Sequence, residues 1–126
     1  MMVIRYDAYA AGSPPTPSRP TIVAVKGNTV TIEWSQAVCD GGHIPQSYTI
    51  RYRRSSSYYS YIYIRQITQS RYRITGLSYS TSYQFWVSTA TVDSRTSSYS
   101  SSVTISTLPR GINNYIATLV QHLNYQ

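Results

Sequence analysis

The stretch from Leu77 to Val87 limits most sharply what this chain can fold into. Tyr83, Phe85 and Val87 alternate with Gln84 and Trp86, so a half-buried strand opens at Tyr83. Leu77, at the end of the preceding strand, completes the spacing Leu-x-x-x-Thr-x-Tyr with Thr81 and Tyr83. A tyrosine at such a strand start can bury its ring between two sheets while its hydroxyl bonds backbone a few residues upstream. That arrangement pins a crossover, so the stretch asks for two stacked sheets joined at this point.

The rest of the chain supplies strands to build them. Thr21–Val25 is a first short strand whose inward face the pattern leaves open, and Gly27-Asn28 is a turn. Val30, Ile32 and Trp34 alternate with Thr29, Thr31 and Glu33. Ser35–Gln46 is a loop. Tyr48, Ile50 and Tyr52 form the inward set of a third strand, with Thr49, Arg51 and Arg53 outward. After a polar hairpin tip at Arg54–Ser60, Ile62 and Ile64 are expected to face in and Tyr61 and Tyr63 out. Arg71–Thr75 follows with Tyr72 and Ile74 inward, then Tyr83–Ala90. Tyr99–Thr107 is the last strand, with Val103 and Ile105 inward. The pattern therefore gives about seven short strands between Pro20 and Leu108 and an all-β class.

The domain reading is a Pro-rich linker over 1–19, a sandwich over 20–109 and a tail over 110–126. Pro14, Pro15 and Pro17 stiffen the first of these. In the tail, Ile112, Tyr115, Ile116, Leu119, Val120 and Leu123 recur at helical spacing behind Asn113. An isolated helix this short is marginal in water, so it docks, frays or begins a following segment.

Several residues together resemble the fibronectin type III family: Trp34, Asp40-Gly41-Gly42, Tyr48, Leu77, Thr81, Tyr83 and the closing Thr107. The chain departs from the family in having Tyr79 where Pro is usual, and Ile44-Pro45 where Pro-Ile is frequent. The resemblance implies a seven-stranded Greek-key β-sandwich, immunoglobulin-like, with sheets A-B-E and C′-C-F-G. It implies a structural core of Trp34, Tyr48, Ile50, Leu77, Tyr83, Phe85 and Val87. It also implies an extracellular or cell-surface module of adhesion or receptor architecture. Where some members display Arg-Gly-Asp, this chain reads Val92-Asp93-Ser94-Arg95-Thr96. Where cytokine-receptor members carry Trp-Ser-x-Trp-Ser, it reads Ser97-Ser98-Tyr99-Ser100-Ser101, so no receptor class is assigned.

Chemistry is sparse. The carboxylates are Asp7, Glu33, Asp40 and Asp93, and the histidines are His43 and His122, scattered over linker, strand, loops and tail. Cys39 and His43 are half a metal site at most. No enzyme and no cofactor are expected. A single cysteine allows no internal disulfide. The start Met1–Ile4 is too short for a signal peptide and is ended by Arg5, and no apolar run reaches membrane-spanning length. The chain reads as a piece of a larger protein or a soluble product without a leader.

Charge carries the remaining information. Lys plus Arg total 11 against 4 acids, a net +7, which favours acidic partners or simply solubility. Nucleic acid is not expected, because no RNA-binding signature or zinc-finger spacing is present. In the resembled sheet order, Tyr61, Tyr63, Arg51, Arg53 and Trp86 share one outer face. These types are enriched at interfaces, and they also form cation–π ladders that merely cover a sheet. Three functions follow: a protein-interaction or adhesion module, a heparin-like polysaccharide binder using Arg51, Arg53, Arg54, Arg71 and Arg73, or a passive spacer. Glu33 is expected to pair with Arg71 or Arg73.

Overall fold

A computed structural model describes residues 14–35, 47–91 and 95–111. The expected tail helix, the Asp40-Gly41-Gly42 motif, Cys39 and both histidines lie outside them. The described residues form seven strands: β1 (Thr21–Lys26), β2 (Thr29–Glu33), β3 (Ser47–Arg54), β4 (Ile62–Ile67), β5 (Arg71–Ile74), β6 (Ser82–Ala90) and β7 (Val103–Ser106). One sheet has the order β1-β2-β5 and the other β4-β3-β6-β7, all neighbours antiparallel. This is a Greek-key sandwich.

The inner faces meet over Val30 and Ile32 from one sheet and Ile50, Phe85 and Val87 from the other, all fully buried. Trp34, 3% exposed, closes this core edge-on to Tyr48 at 5.3 Å between ring centroids. Tyr52 packs on Phe85 at 5.6 Å and on Tyr83 at 6.2 Å.

The crossover from β5 to β6 is held as a knot. Tyr83 Oη accepts from the Ser78 N–H at 2.9 Å. Thr107 Oγ1 accepts from Thr81 N at 3.0 Å and donates to Ser78 O. Leu77 N–H donates to Asn28 O, and Leu108 N–H to Gly27 O, at 3.2 and 3.0 Å. Gly27, at φ +60°, sits in the left-handed region that a side chain resists, which suits the tight β1–β2 turn.

Period two breaks in three places, each by insertion of extra residues. In β1 the register slips between Ile22 and Ala24, so Ile22 and Val25 both point inward. In β4 it slips opposite Tyr48–Ile50, with Gln66 at φ +65°, so that Ile64 packs on the core and Ile67 is buried. The third break shortens the last strand to Val103–Ser106, where the sequence pattern called for Tyr99–Thr107. Ahead of it, Ser97 N–H bonds Thr89 O and Ser100 N–H bonds Val87 O. In return Thr89 N–H donates to Ser97 Oγ and Val87 N–H to Ser100 Oγ, at 2.9 and 3.1 Å. Hydroxyls thus stand in for backbone carbonyls, at three residues for every two on β6.

Other side chains depart from their expected exposure. Ile62 faces the inner side, opposite Tyr52, yet is 52% exposed, because β4 is an edge strand with nothing beyond it. Tyr72 on the edge strand β5 is 36% exposed for the same reason. Thr49, expected outward, is 6% exposed. Proline-rich residues ahead of β1 lie against the sandwich: Pro14 and Pro17 are buried, Thr89 Oγ1 donates to Pro15 O, and Ser18 Oγ accepts from Ser35 N.

Burial holds the Tyr52 hydroxyl above the usual phenol range of about 10, with Tyr83 and Tyr72 adding to the shift. A raised tyrosine contributes stability that is complete below the unfolded value and is lost as pH rises through the folded one. Tyr52→Phe should therefore flatten the loss of stability as pH rises above about 10, read by urea unfolding. Two further variants probe the core and the knot. Trp34→Ala should cost about 3–5 kcal/mol. Tyr83→Phe, which leaves the Ser78 N–H without its acceptor, should cost about 1–3 kcal/mol.

Candidate functional site

β3 lies between β4 and β6, so its outer face is the middle of the four-stranded sheet. Ile50 and Tyr52 point inward, which sends Arg51 and Arg53 out. Arg51 stands across from Trp86 on one side and Tyr63 on the other, and Arg53 across from Gln84. Tyr61 arrives just ahead of β4, and Tyr99 approaches from the far side of β6.

These side chains interlock. The Arg51 guanidinium carbon lies 4.2 Å from the Tyr61 ring centroid, 4.8 Å from Trp86 and 4.1 Å from Tyr99. Arg53 lies 4.4 Å from Tyr61 and 5.5 Å from Trp86. Tyr61 meets Trp86 edge-on at 5.2 Å and Tyr63 at 6.3 Å, and Arg65 stands 4.8 Å over Tyr63. The negative ring faces attract the cations, and the stacking covers the guanidinium planes. Nε of both Arg51 and Arg53 is buried with no hydrogen-bond partner. Among the described residues neither guanidinium makes an ion pair.

The structure thus brings Arg51, Arg53, Tyr61, Tyr63 and Trp86 onto one face. Arg51, Arg53, Tyr61 and Trp86 are half-buried, while Tyr63 is 45% exposed. It adds Tyr99, which the sequence reading left out. The usable signal was the spacing of Ser97 and Ser100, three apart where a regular strand needs two. With one residue extra per step, the side chain between the two serines reaches the ladder. The segment that lacks both tryptophans therefore still supplies two hydroxyls to β6 and one ring to Arg51.

The five arginines considered for a polysaccharide do not form one patch. Arg51 and Arg53 lie on the four-stranded sheet, Arg71 and Arg73 on the three-stranded one, and Arg54 at the end of β3. Arg71 is engaged by Glu33 at 2.7 Å, an exposed pair worth ~0–1 kcal/mol. Glu33 is the single carboxylate among the described residues. Those residues contain no cluster of His, Cys, Asp or Glu able to hold a metal, and no helix long and apolar enough to cross a membrane.

Two stacked antiparallel sheets, a tyrosine knot at their crossover and a covered central strand define an immunoglobulin-like sandwich of the modular kind. The fibronectin type III domain model matches residues 13–106, and the chain belongs to that family. The family is generally non-catalytic and is commonly a module of multidomain proteins. Its members occur outside cells and at the cell surface, and also inside, as in twitchin. A segment of 47 residues is 45% identical to the juxtamembrane domain-associated catenin of Caenorhabditis elegans, covering 36% of this chain and 4% of that protein. The twitchin kinase region from C. elegans superposes with a TM-score of 0.69 at 20% identity, over 80% of this chain and 18% of that one. The domain from human fibronectin type III domain containing protein 3 gives 0.64 at 22% identity, over 78% and 89%. At such identities the two structures speak for the fold alone.

Arg51→Ser removes three ring contacts and should lower stability by about 1–2 kcal/mol while altering the near-ultraviolet circular dichroism of Trp86. Arg73→Ser, with no ring contact, should stay within about 0.5 kcal/mol of the parent.

Proposed function

We propose that this chain is a non-catalytic protein-interaction and adhesion module of a larger multidomain protein, with the face of Arg51, Arg53, Tyr61, Tyr63, Trp86 and Tyr99 as its contact surface. The observation that carries the reading is the pair of guanidinium groups stacked on the same Tyr61 ring, at 4.2 and 4.4 Å, with no acid to meet them among the described residues. Ring stacking fixes the arginines before any partner arrives, so little side-chain entropy is lost on binding. Tyr, Trp and Arg are also the types that carry most interface energy. The family's common place as a module of multidomain proteins supports the multidomain setting. The family resemblance supports extracellular or cell-surface placement.

A second reading, binding of an anionic polysaccharide, is favoured by the excess of arginine alone. The two differ in salt dependence, since phosphate- or sulfate-type contacts weaken steeply with salt. p-Benzoylphenylalanine in place of Tyr63 should crosslink a protein in cell extract at high salt, and the adduct should vanish with Trp86→Ser. The same probe in place of Val23, exposed on the other sheet, should give none. Retention on heparin clearly beyond a plain cation exchanger, lost in Arg51→Ser/Arg53→Ser, would overturn the protein reading in favour of the polysaccharide.

A further inference from the structure

A second site lies at the end of the sandwich, beside the ladder, whose Arg53 also lines it. The β3–β4 hairpin and the β5–β6 corner enclose a cleft of about 360 Å³. Its lining includes Tyr52, Leu77 and Tyr83, all buried, together with Tyr59 and Ile62, which are 42% and 52% exposed. An inward-facing isoleucine that is half exposed marks a core left open on one side. The volume suits one large aliphatic or aromatic side chain, at the small end of the range for binding pockets.

The rim is cationic. Arg54 also lines the cleft, and its Nη2 donates to Ser78 Oγ at 3.0 Å while its guanidinium lies 5.3 Å from the Tyr59 ring. Ser78 takes one of its N–H groups, and no carboxylate among the described residues meets the others. Glu33 is at the far end of the β2–β5 pair, opposite Arg71 rather than near Ile74 and the corner. The Tyr83 hydroxyl accepts from Ser78 N–H and keeps its own proton to donate, so the floor combines the rings of Tyr52 and Tyr83 and the Leu77 side chain with phenol hydroxyls.

We propose that this cleft receives a large apolar side chain of a partner protein segment, with an adjacent carboxylate of that segment paired to Arg54. A floor of Leu77 and tyrosine rings, with Arg53 and Arg54 at its edge and no carboxylate among the described residues to meet them, is complementary to an apolar–acidic sequence. Ser78 and the Tyr59 ring hold the Arg54 guanidinium, and a carboxylate can take its remaining N–H groups. A polysaccharide supplies the charge but not the apolar group. The proposal shares with the preceding reading only the premise that a protein is bound, and its site can fail or stand without the ladder.

The test uses two synthetic peptides, acetyl-Asp-Glu-Phe-Glu-Asp-amide and the same sequence with Gly for Phe, titrated against the isotope-labelled chain. The Phe peptide should shift the amides of Gly76 and Leu77 and the methyls of Ile62 in a saturable way. The Gly peptide should bind at least about tenfold more weakly, as expected for the loss of a buried side chain. Arg54→Ser should weaken the Phe peptide by a similar factor. Ile62→Thr, a β-branched change at an exposed edge, should weaken it with the fold unchanged. Arg51→Ser should leave it intact, which separates this site from the ladder. Equal binding of the two peptides, shifts spread over all the arginines, no saturable shift, or a heparin hexasaccharide moving the same signals more tightly would each overturn the proposal.

Discussion

The hydroxyl of Tyr83 carries more of this architecture than its single hydrogen bond suggests. It caps the Ser78 N–H at the point where the chain leaves one sheet for the other. Around it, Thr107 ties the end of β7 to the corner, and Asn28 and Gly27 tie in the β1–β2 turn. The backbone groups of an irregular crossover are thus satisfied without water, which is what allows the corner to be half-buried. The core then follows from two sheets being held face to face, with Phe85 and Val87 pointing at Ile32 across the gap.

Where the chain keeps period two, the sequence was readable. Val30 and Ile32, Ile50 and Tyr52, and Phe85 and Val87 each alternate with polar neighbours, and parity alone orients them. Where one strand carries an extra residue, parity misleads. Ile22 and Val25 both face the core at a spacing of three, so no alternation could have named the inner face of β1. The same fault hid the late start of the last strand, because Ser100 reads as an ordinary strand residue until its hydroxyl is seen to act as a carbonyl. Exposure was harder still. Ile62 and Tyr72 have inward parity, and only the sheet order shows that β4 and β5 are edges that leave them open.

The ladder was legible in part for the same reason. Arg51, Arg53 and Trp86 lie in regular stretches of β3 and β6, so their shared face could be read from alternation once the sheet order was supposed. Tyr99 lies in an irregular stretch and could not. Its ring completes the enclosure of Arg51, so the arginine is gripped by residues from three separate parts of the chain. The grip fixes the planes of the guanidinium groups and leaves their charge unneutralised within the described residues. The contacts that cover the sheet are therefore the same ones that hold the guanidinium groups in place.

The serine-built approach to β7 has one more effect, on the rim of the molecule. β7 is the outer strand of its sheet, and outer strands expose a row of backbone donors and acceptors that can recruit another chain. Between Ser97 and Val103 the spacing advances three residues for each two on β6, so the outward row is out of step with any regular strand. A regular ladder can start only along the four residues from Val103 to Ser106. The hydroxyls that close the inner side of this segment thus leave its outer side without the regular spacing that an added strand needs.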